Sequence, residues 1–426
     1  MLKRITSSYF IIGCLLFLFF IPWVTEDKAG LYILNIAVFL CYFFALYISS
    51  VIKTSDRKLL FASIFGYSLF FVLIINLFSW FIDGDFFVFS KADAITYHQF
   101  AVDMVEMDFF TAIEYFLRFY SFDDLGMIIT LRIIYLFIES NLAFNLFNIF
   151  IGAITAVYLY RLSRYFMNKR YALVCAVSYT LSSFMLWFYA SGLKESMMVL
   201  LVVFSFEQYY KHLKNKNMRN NVLFHLGALS LTLFRPAVTL LIYSSIVLKN
   251  LLQRRSSVKK FAVLSVLFVI VIASFSILEA YLTRFFYGGT FETLIATKKI
   301  QGMVIGSVPF TYSVNVLAQL IGPLPTIIPE FTPLPFYAPG LIFRVLLAFP
   351  FWIGAYYVLK RKKKKLYLLL FFVFMEMSSL ALILEGLELR KSLPHFPVIY
   401  VIAFWFMYSF DKALMYKKKN IKFILF

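Results

Sequence analysis

Acidic residues are scarce. The 426-residue chain has 22 Asp and Glu against 41 Lys and Arg, a formal net charge of +19. Charged residues of both signs make up only 15% of it, too few to coat the surface of a water-soluble protein of this length. Cysteine is nearly absent as well. Cys14, Cys41 and Cys175 all fall in apolar runs and form no CxxC pair, so neither a disulfide framework nor a zinc site is indicated. No repeat of fixed period and no polar stretch long enough for a soluble domain interrupts the pattern. The N-terminus, with Lys3 and Arg4 ahead of an apolar run, has no small-x-small cleavage site, and reads as an uncleaved first helix.

Apolar length is what the chain has in abundance. Hydrophobic residues reach 62%, with 54 Phe and 28 Tyr, and mean hydropathy is +0.83. About 20 apolar residues at a rise of about 1.5 Å cross the hydrocarbon of a bilayer. Many runs here meet that length, and none shows the short alternating segments of a barrel. The expected fold is therefore an all-α, polytopic transmembrane bundle of about twelve spans. They are placed at 8–24, 31–52, 59–82, 141–160, 171–190, 196–210, 222–234, 236–248, 261–280, 338–359, 366–385 and 395–410.

Basic residues sit in the short connections after alternate spans: Lys53, Arg57 and Lys58; Arg161, Arg164, Lys169 and Arg170; Lys211, Lys214, Lys216 and Arg219; Arg254, Arg255, Lys259 and Lys260; Lys360 to Lys365; and Lys417 to Lys419. The positive-inside rule puts all of these, and both chain termini, in the cytoplasm. The net charge is thus explained by topology, and no nucleic-acid partner is expected. Residues 1–58 read as an N-terminal hairpin and 59–426 as the main transmembrane domain. Two long connections remain for the outer face. Outer loop 1 (83–140) holds Asp83, Asp85, Asp93, Asp103, Glu106, Asp108, Glu114, Asp123 and Asp124. Its apolar stretch 127–138 is short and contains Arg132, so it is laid along the membrane surface. Outer loop 2 (281–337) is broken up by Gly and Pro, the composition of a shaped or partly re-entrant segment.

Several outer-face residues carry chemistry. Asp93 opens the run Asp93-Ala94-Ile95-Thr96-Tyr97-His98, which as a helix sets Asp93 and Tyr97 on one face. A carboxylate there suits a general base, and equally a helix cap. Asp83-Gly84-Asp85 has the spacing of a weak divalent-cation pair, for Mg or Mn, or simply marks the interface. Lys194, Arg235, Arg390 and Lys391 are cations at outer helix ends, where the loop rule disfavours them. They fit a phosphate, or snorkel and pair with Glu195, Glu385 or Glu388. His395 opens the last span, as a titrating group or a cap. Glu376 lies within a span and should face protein rather than lipid.

The order of these features resembles the GT-C class of polytopic glycosyltransferases, which includes the dolichyl-phosphate-mannose mannosyltransferases and the aminoarabinose transferase of lipid A. The resemblance covers roughly 59–426. It rests on Asp93 in the first large outer loop, the surface stretch 127–138 and the exit Tyr160-Arg161-Leu162-Ser163-Arg164. It continues through the outer turn Ser191 to Glu195, the tip Thr232-Leu233-Phe234-Arg235-Pro236 and the segment Arg390-Lys391-Ser392-Leu393-Pro394-His395-Phe396-Pro397. Two departures stand out: the acidic loop follows the third helix instead of the first, and the class's Asp-Glu pair is Asp93-Ala94 here.

The resemblance implies surface-lying extracytoplasmic helices and a bacterial inner-membrane enzyme of surface polysaccharide (O-antigen or capsule) synthesis. Its donor would be an undecaprenyl-phosphate- or pyrophosphate-linked sugar and its acceptor a glycan. Asp93 would act as base, with Tyr97 and His98 on the sugar and Lys194, Arg235 and Arg390 on the departing phosphate. The chain also resembles O-antigen or capsule repeat-unit polymerases, in which Arg284, Lys298 and Lys299 would hold one pyrophosphate. A lipid-linked oligosaccharide flippase is the non-enzyme alternative.

Overall fold

The computed structural model describes residues 57–84, 87, 93–120, 122–253, 334–382 and 392–424, with short pieces between 296 and 314. The expected spans 8–24, 31–52 and 261–280, nearly all of outer loop 2, and Asp85, Arg284, Arg390 and Lys391 lie outside the described residues. All regular structure among the described residues is helical. In chain order the helices are α1 Arg57–Asp83, α2 Asp93–Val105, α3 Phe109–Phe119, α4 Leu125–Tyr135, α5 Asn141–Ser163, α6 Lys169–Thr180, α7 Ser183–Ala190, α8 Glu195–Asn215, α9 Met218–Ser230, α10 Pro236–Gln253, α11 Leu334–Lys360, α12 Tyr367–Leu382 and α13 Phe396–Ile424.

Local chemistry explains the ends. Ser140, Asn168 and Asn217 cap α5, α6 and α9, each side-chain oxygen accepting from a main-chain N–H at 3.2, 3.0 and 2.9 Å. Pro236 sits at the first position of α10, where its missing N–H costs nothing. The expected span 171–190 is instead two helices. Thr180 Oγ1 and Ser182 Oγ donate to the carbonyls of Ala176 and Tyr179 at 2.8 and 2.7 Å, and Ser182 is extended, so the ladder stops between α6 and α7. The last helix also runs past 410, to Ile424.

Three of the described helices are long and apolar enough to cross a membrane, over Arg57–Leu77, Asn141–Ser163 and Leu393–Met415. They pack with the other helices around one core: α5 lies against α1, α6 and α8, α11 against α13 and α7, and α10 against α12. Gly152 of α5 admits the fully buried Tyr189 ring, whose Cζ would lie 2.5 Å from a Cβ at that position. Gly152→Ala is therefore expected to cost about 1–3 kcal/mol by overpacking. Thermal unfolding in detergent checks this, and combining it with Tyr189→Ala should cost less than the sum of the two.

Charge separates the two ends of this bundle. One end carries Arg57, Lys58, Arg161, Arg164, Lys169, Arg170, Lys214, Arg219 and Lys360 to Lys365. Cross-links confirm that these helix ends meet: Arg161 pairs with Glu207 at 2.8 Å, Tyr171 Oη donates to Asp411 at 3.0 Å, and Tyr210 Oη donates to the Lys365 carbonyl at 2.6 Å. The opposite end holds α2, α3 and α4, with Asp93, Asp103, Glu106, Asp108, Glu114, Asp123 and Asp124.

Candidate functional site

The acidic end is roofed by three short helices tied to one another. Asp108 caps α3, accepting from the N–H groups of Phe110 and Thr111 at 3.1 and 3.0 Å. Arg132, the charge that made 127–138 an awkward span, is spent here. Its guanidinium donates to the carbonyls of Met104 and Met107 at 2.8 and 2.5 Å, which satisfies the end of α2 and locks α4 against it. One face of α4 is buried, with Met127, Ile128 and Leu131 in the core.

Beneath this roof lies a buried ionic knot. Tyr97 Oη donates to Asp124 Oδ1 at 2.7 Å, and Lys194 Nζ binds the same carboxylate oxygen. Lys194 also donates to the Asp123 carbonyl at 3.0 Å and lies 3.9 Å from the Asp123 carboxylate. Asp124 is 8% exposed and Lys194 4%. Burial pushes the Asp124 carboxyl above its usual range; the Lys194 ammonium pulls it partly back, and Asp123 adds to the rise. The knot joins three distant parts of the chain: α2, the 3-10 turn Phe122–Asp124, and the turn leading into α8.

That last turn is shaped by Gly192, at φ +69°. A Cβ on it would stand 2.9 Å from Asn141 Oδ1 and 3.5 Å from the Ala94 Cβ. The first turn of α2, which the half-buried Asp93 opens, is thus pressed against the turn that carries Lys194. Asp93 also suits the positive end of α2. Arg235 arrives from another direction. The 3-10 turn Leu231–Leu233 packs on the Phe122–Asp124 turn, and the Phe234 ring sits 2.7 Å from where a Cβ on Gly126 would be. The half-buried Arg235 follows directly.

The expected site residues therefore divide. Asp93, Tyr97, Lys194 and Arg235 converge on the acidic end. Tyr97 and Lys194 spend their polar atoms on Asp124. His98 lies on another side of α2, its Nδ1 2.7 Å from Tyr135 Oη, with the Phe87 ring at 5.4 Å. His395 is fully buried, and its Nδ1 is 3.4 Å from the Glu376 carboxylate, itself 2% exposed. Glu376 thus faces protein, as expected of an acid in a span. Asp83 closes α1, and its partner in the expected cation pair, Asp85, is outside the described residues. Among the described residues no three His, Cys, Asp or Glu gather as metal ligands.

Burial lowers the affinity of His98 for a proton. Its unfolded-state pKa is about 6.5. Between that value and the lower folded one, the unfolded chain binds more protons, so folding stability is expected to fall as pH drops through about 6.5. Unfolding midpoints in detergent from pH 8 to pH 5 measure this, and His98→Gln should flatten the slope.

The residue that reading of the sequence passes over is Asp124, grouped there with its loop neighbours. Its signal was slight: an Asp-Asp pair immediately before an apolar helix. No protein-family model matches the chain, and no curated protein or solved structure matches it either.

Proposed function

We propose that the chain is an integral membrane glycosyltransferase acting at its acidic end, with an undecaprenyl-phosphate- or pyrophosphate-linked sugar as donor and a surface polysaccharide as acceptor. The observation that carries this reading is the convergence at that end. The half-buried carboxylate of Asp93 and the half-buried guanidinium of Arg235 come to one end of the bundle from distant parts of the sequence, around a buried ionic knot. A base and a phosphate-binding cation on one membrane face are what transfer from a lipid phosphate requires.

In this reading the bilayer surrounds the bundle, the basic end lies in the cytoplasm of a bacterial cell, and the acidic end faces outward. The acceptor hydroxyl oxygen attacks the anomeric carbon, and its proton passes to Asp93. The bond from that carbon to the phosphate oxygen breaks, and its electron pair leaves on the lipid phosphate. Arg235 faces that charge as a planar donor. Lys194 serves as a positioning residue, because its ammonium already belongs to Asp124.

The test uses the full chain reconstituted in vesicles with a labelled undecaprenyl-phosphate sugar and a glycan acceptor. The expected result is labelled glycan with stoichiometric release of undecaprenyl phosphate. Growth of a chain of repeat units on pyrophosphate would make it a polymerase. Passage of the intact lipid-linked sugar across the bilayer without transfer would contradict the proposal.

A further inference from the structure

The basic end contains a cation that the proposed reaction does not use. Lys249 lies within α10, one turn before its end, and is only 7% exposed. Its ammonium donates to Tyr209 Oη at 2.7 Å and stands 4.9 Å from the centre of the same ring. Those contacts use one of its three N–H donors and offer no formal negative charge.

No described acid is paired with Lys249. The described acids of that end are committed elsewhere, Glu207 to Arg161 and Asp411 to Tyr171. Residues 254–278, which follow α10, contain no Asp or Glu but four basic residues. A buried cation without a counter-charge is costly, by several kcal/mol in effective terms. The cheapest remedy is an anion from outside the chain.

The surroundings narrow its chemistry. Tyr210, next to Tyr209, binds the carbonyl of Lys365, which ends the run Lys360 to Lys365. Lys214 and Arg219 lie at the same end of the bundle. Basic pockets between spanning helices near the cytoplasmic surface hold anionic phospholipid headgroups.

We infer that Lys249 is the floor of a phosphate-binding site at the basic end of the bundle, occupied by the headgroup of an anionic phospholipid. The ammonium and the Tyr209 hydroxyl would both face phosphate oxygens, with the run Lys360 to Lys365 supplying long-range attraction. The inference is independent of the glycosyltransferase reading, since the two sites lie at opposite ends.

The experiment is native mass spectrometry of the full chain released from nanodiscs of mixed phosphatidylglycerol and phosphatidylcholine. The wild-type chain is expected to keep one phosphatidylglycerol through delipidation. Lys249→Met should lower that retention by at least about tenfold, whereas Lys249→Arg and the surface control Lys214→Met should keep it. Inorganic phosphate added to delipidated protein separates the sources. A rise in unfolding temperature with phosphate alone, lost in Lys249→Met, would make free phosphate the ligand of the same site. Equal retention in wild type and Lys249→Met, with no effect of phosphate, would overturn the inference. Should Lys249→Met not fold, the wild-type chain decides it: equal unfolding temperatures in phosphatidylglycerol and phosphatidylcholine nanodiscs would overturn it too.

Discussion

Lys194→Met is expected to cost about 3–5 kcal/mol of stability, because it strands the Asp124 carboxylate in a buried setting. The loss exceeds that of an ordinary surface pair, worth about 0–1 kcal/mol, since neither partner has water to fall back on. The burial of Asp124 and Lys194, at 8% and 4% exposure, is the reason. Removing both charges should be milder. Lys194→Met with Asp124→Asn leaves an amide oxygen to accept from Tyr97 and no uncompensated charge, so most of the loss should be recovered. Chemical unfolding of the two single variants and the double variant in detergent measures this. Additive losses would mean that the two side chains do not stabilise each other.

That pair also shows where sequence reading stops. Lys194 and Asp124 are 70 residues apart, and nothing local to either marks the other as its partner. The extents of α1 and α5 were legible to within a few residues, because an apolar run and its flanking charges are local properties. The apolar stretch 127–138 is a short helix, Leu125–Tyr135, whose Arg132 donates to the carbonyls of Met104 and Met107, a contact between segments that are distant in sequence. The break at Ser182 was not legible: it depends on hydroxyls choosing carbonyls one turn back, which hydropathy does not register. His395 looked like an outer-face residue from its place at the head of a span. Its neighbour across 3.4 Å is Glu376, again a contact between distant segments.

Of the candidate chemistry, the sequence offered a list of acids and cations sharing a face, without saying which belong together. The fold sorts them by what their atoms already touch. Lys194 has an acid bound to it, and Tyr97 has the same acid. Arg235 is brought to the Phe122–Asp124 turn by Phe234 packing on Gly126, a match of ring to missing side chain that needs the folded chain to be seen.

Asp93→Asn is expected to have the largest effect on activity. The amide matches the carboxylate in size and can still sit at the head of α2, but it does not accept a proton at neutral pH. A positioned general base contributes about 10²–10⁴-fold to a rate, so transfer should fall by that factor. Stability should change less than in Lys194→Met, because the amide keeps the size of the carboxylate and Asp93 is half-exposed to begin with. The reverse pattern is expected of Lys194→Met alone, in which the base is retained and the roof loses its ionic tie.

The most direct measurement is the initial rate of sugar transfer from an undecaprenyl-phosphate donor by reconstituted Asp93→Asn protein whose unfolding temperature equals that of the wild type. A rate about 10²–10⁴-fold below wild type is the expected result. A wild-type rate in that folded variant would contradict Asp93 as the base, and with it the placement of the reaction at the acidic end.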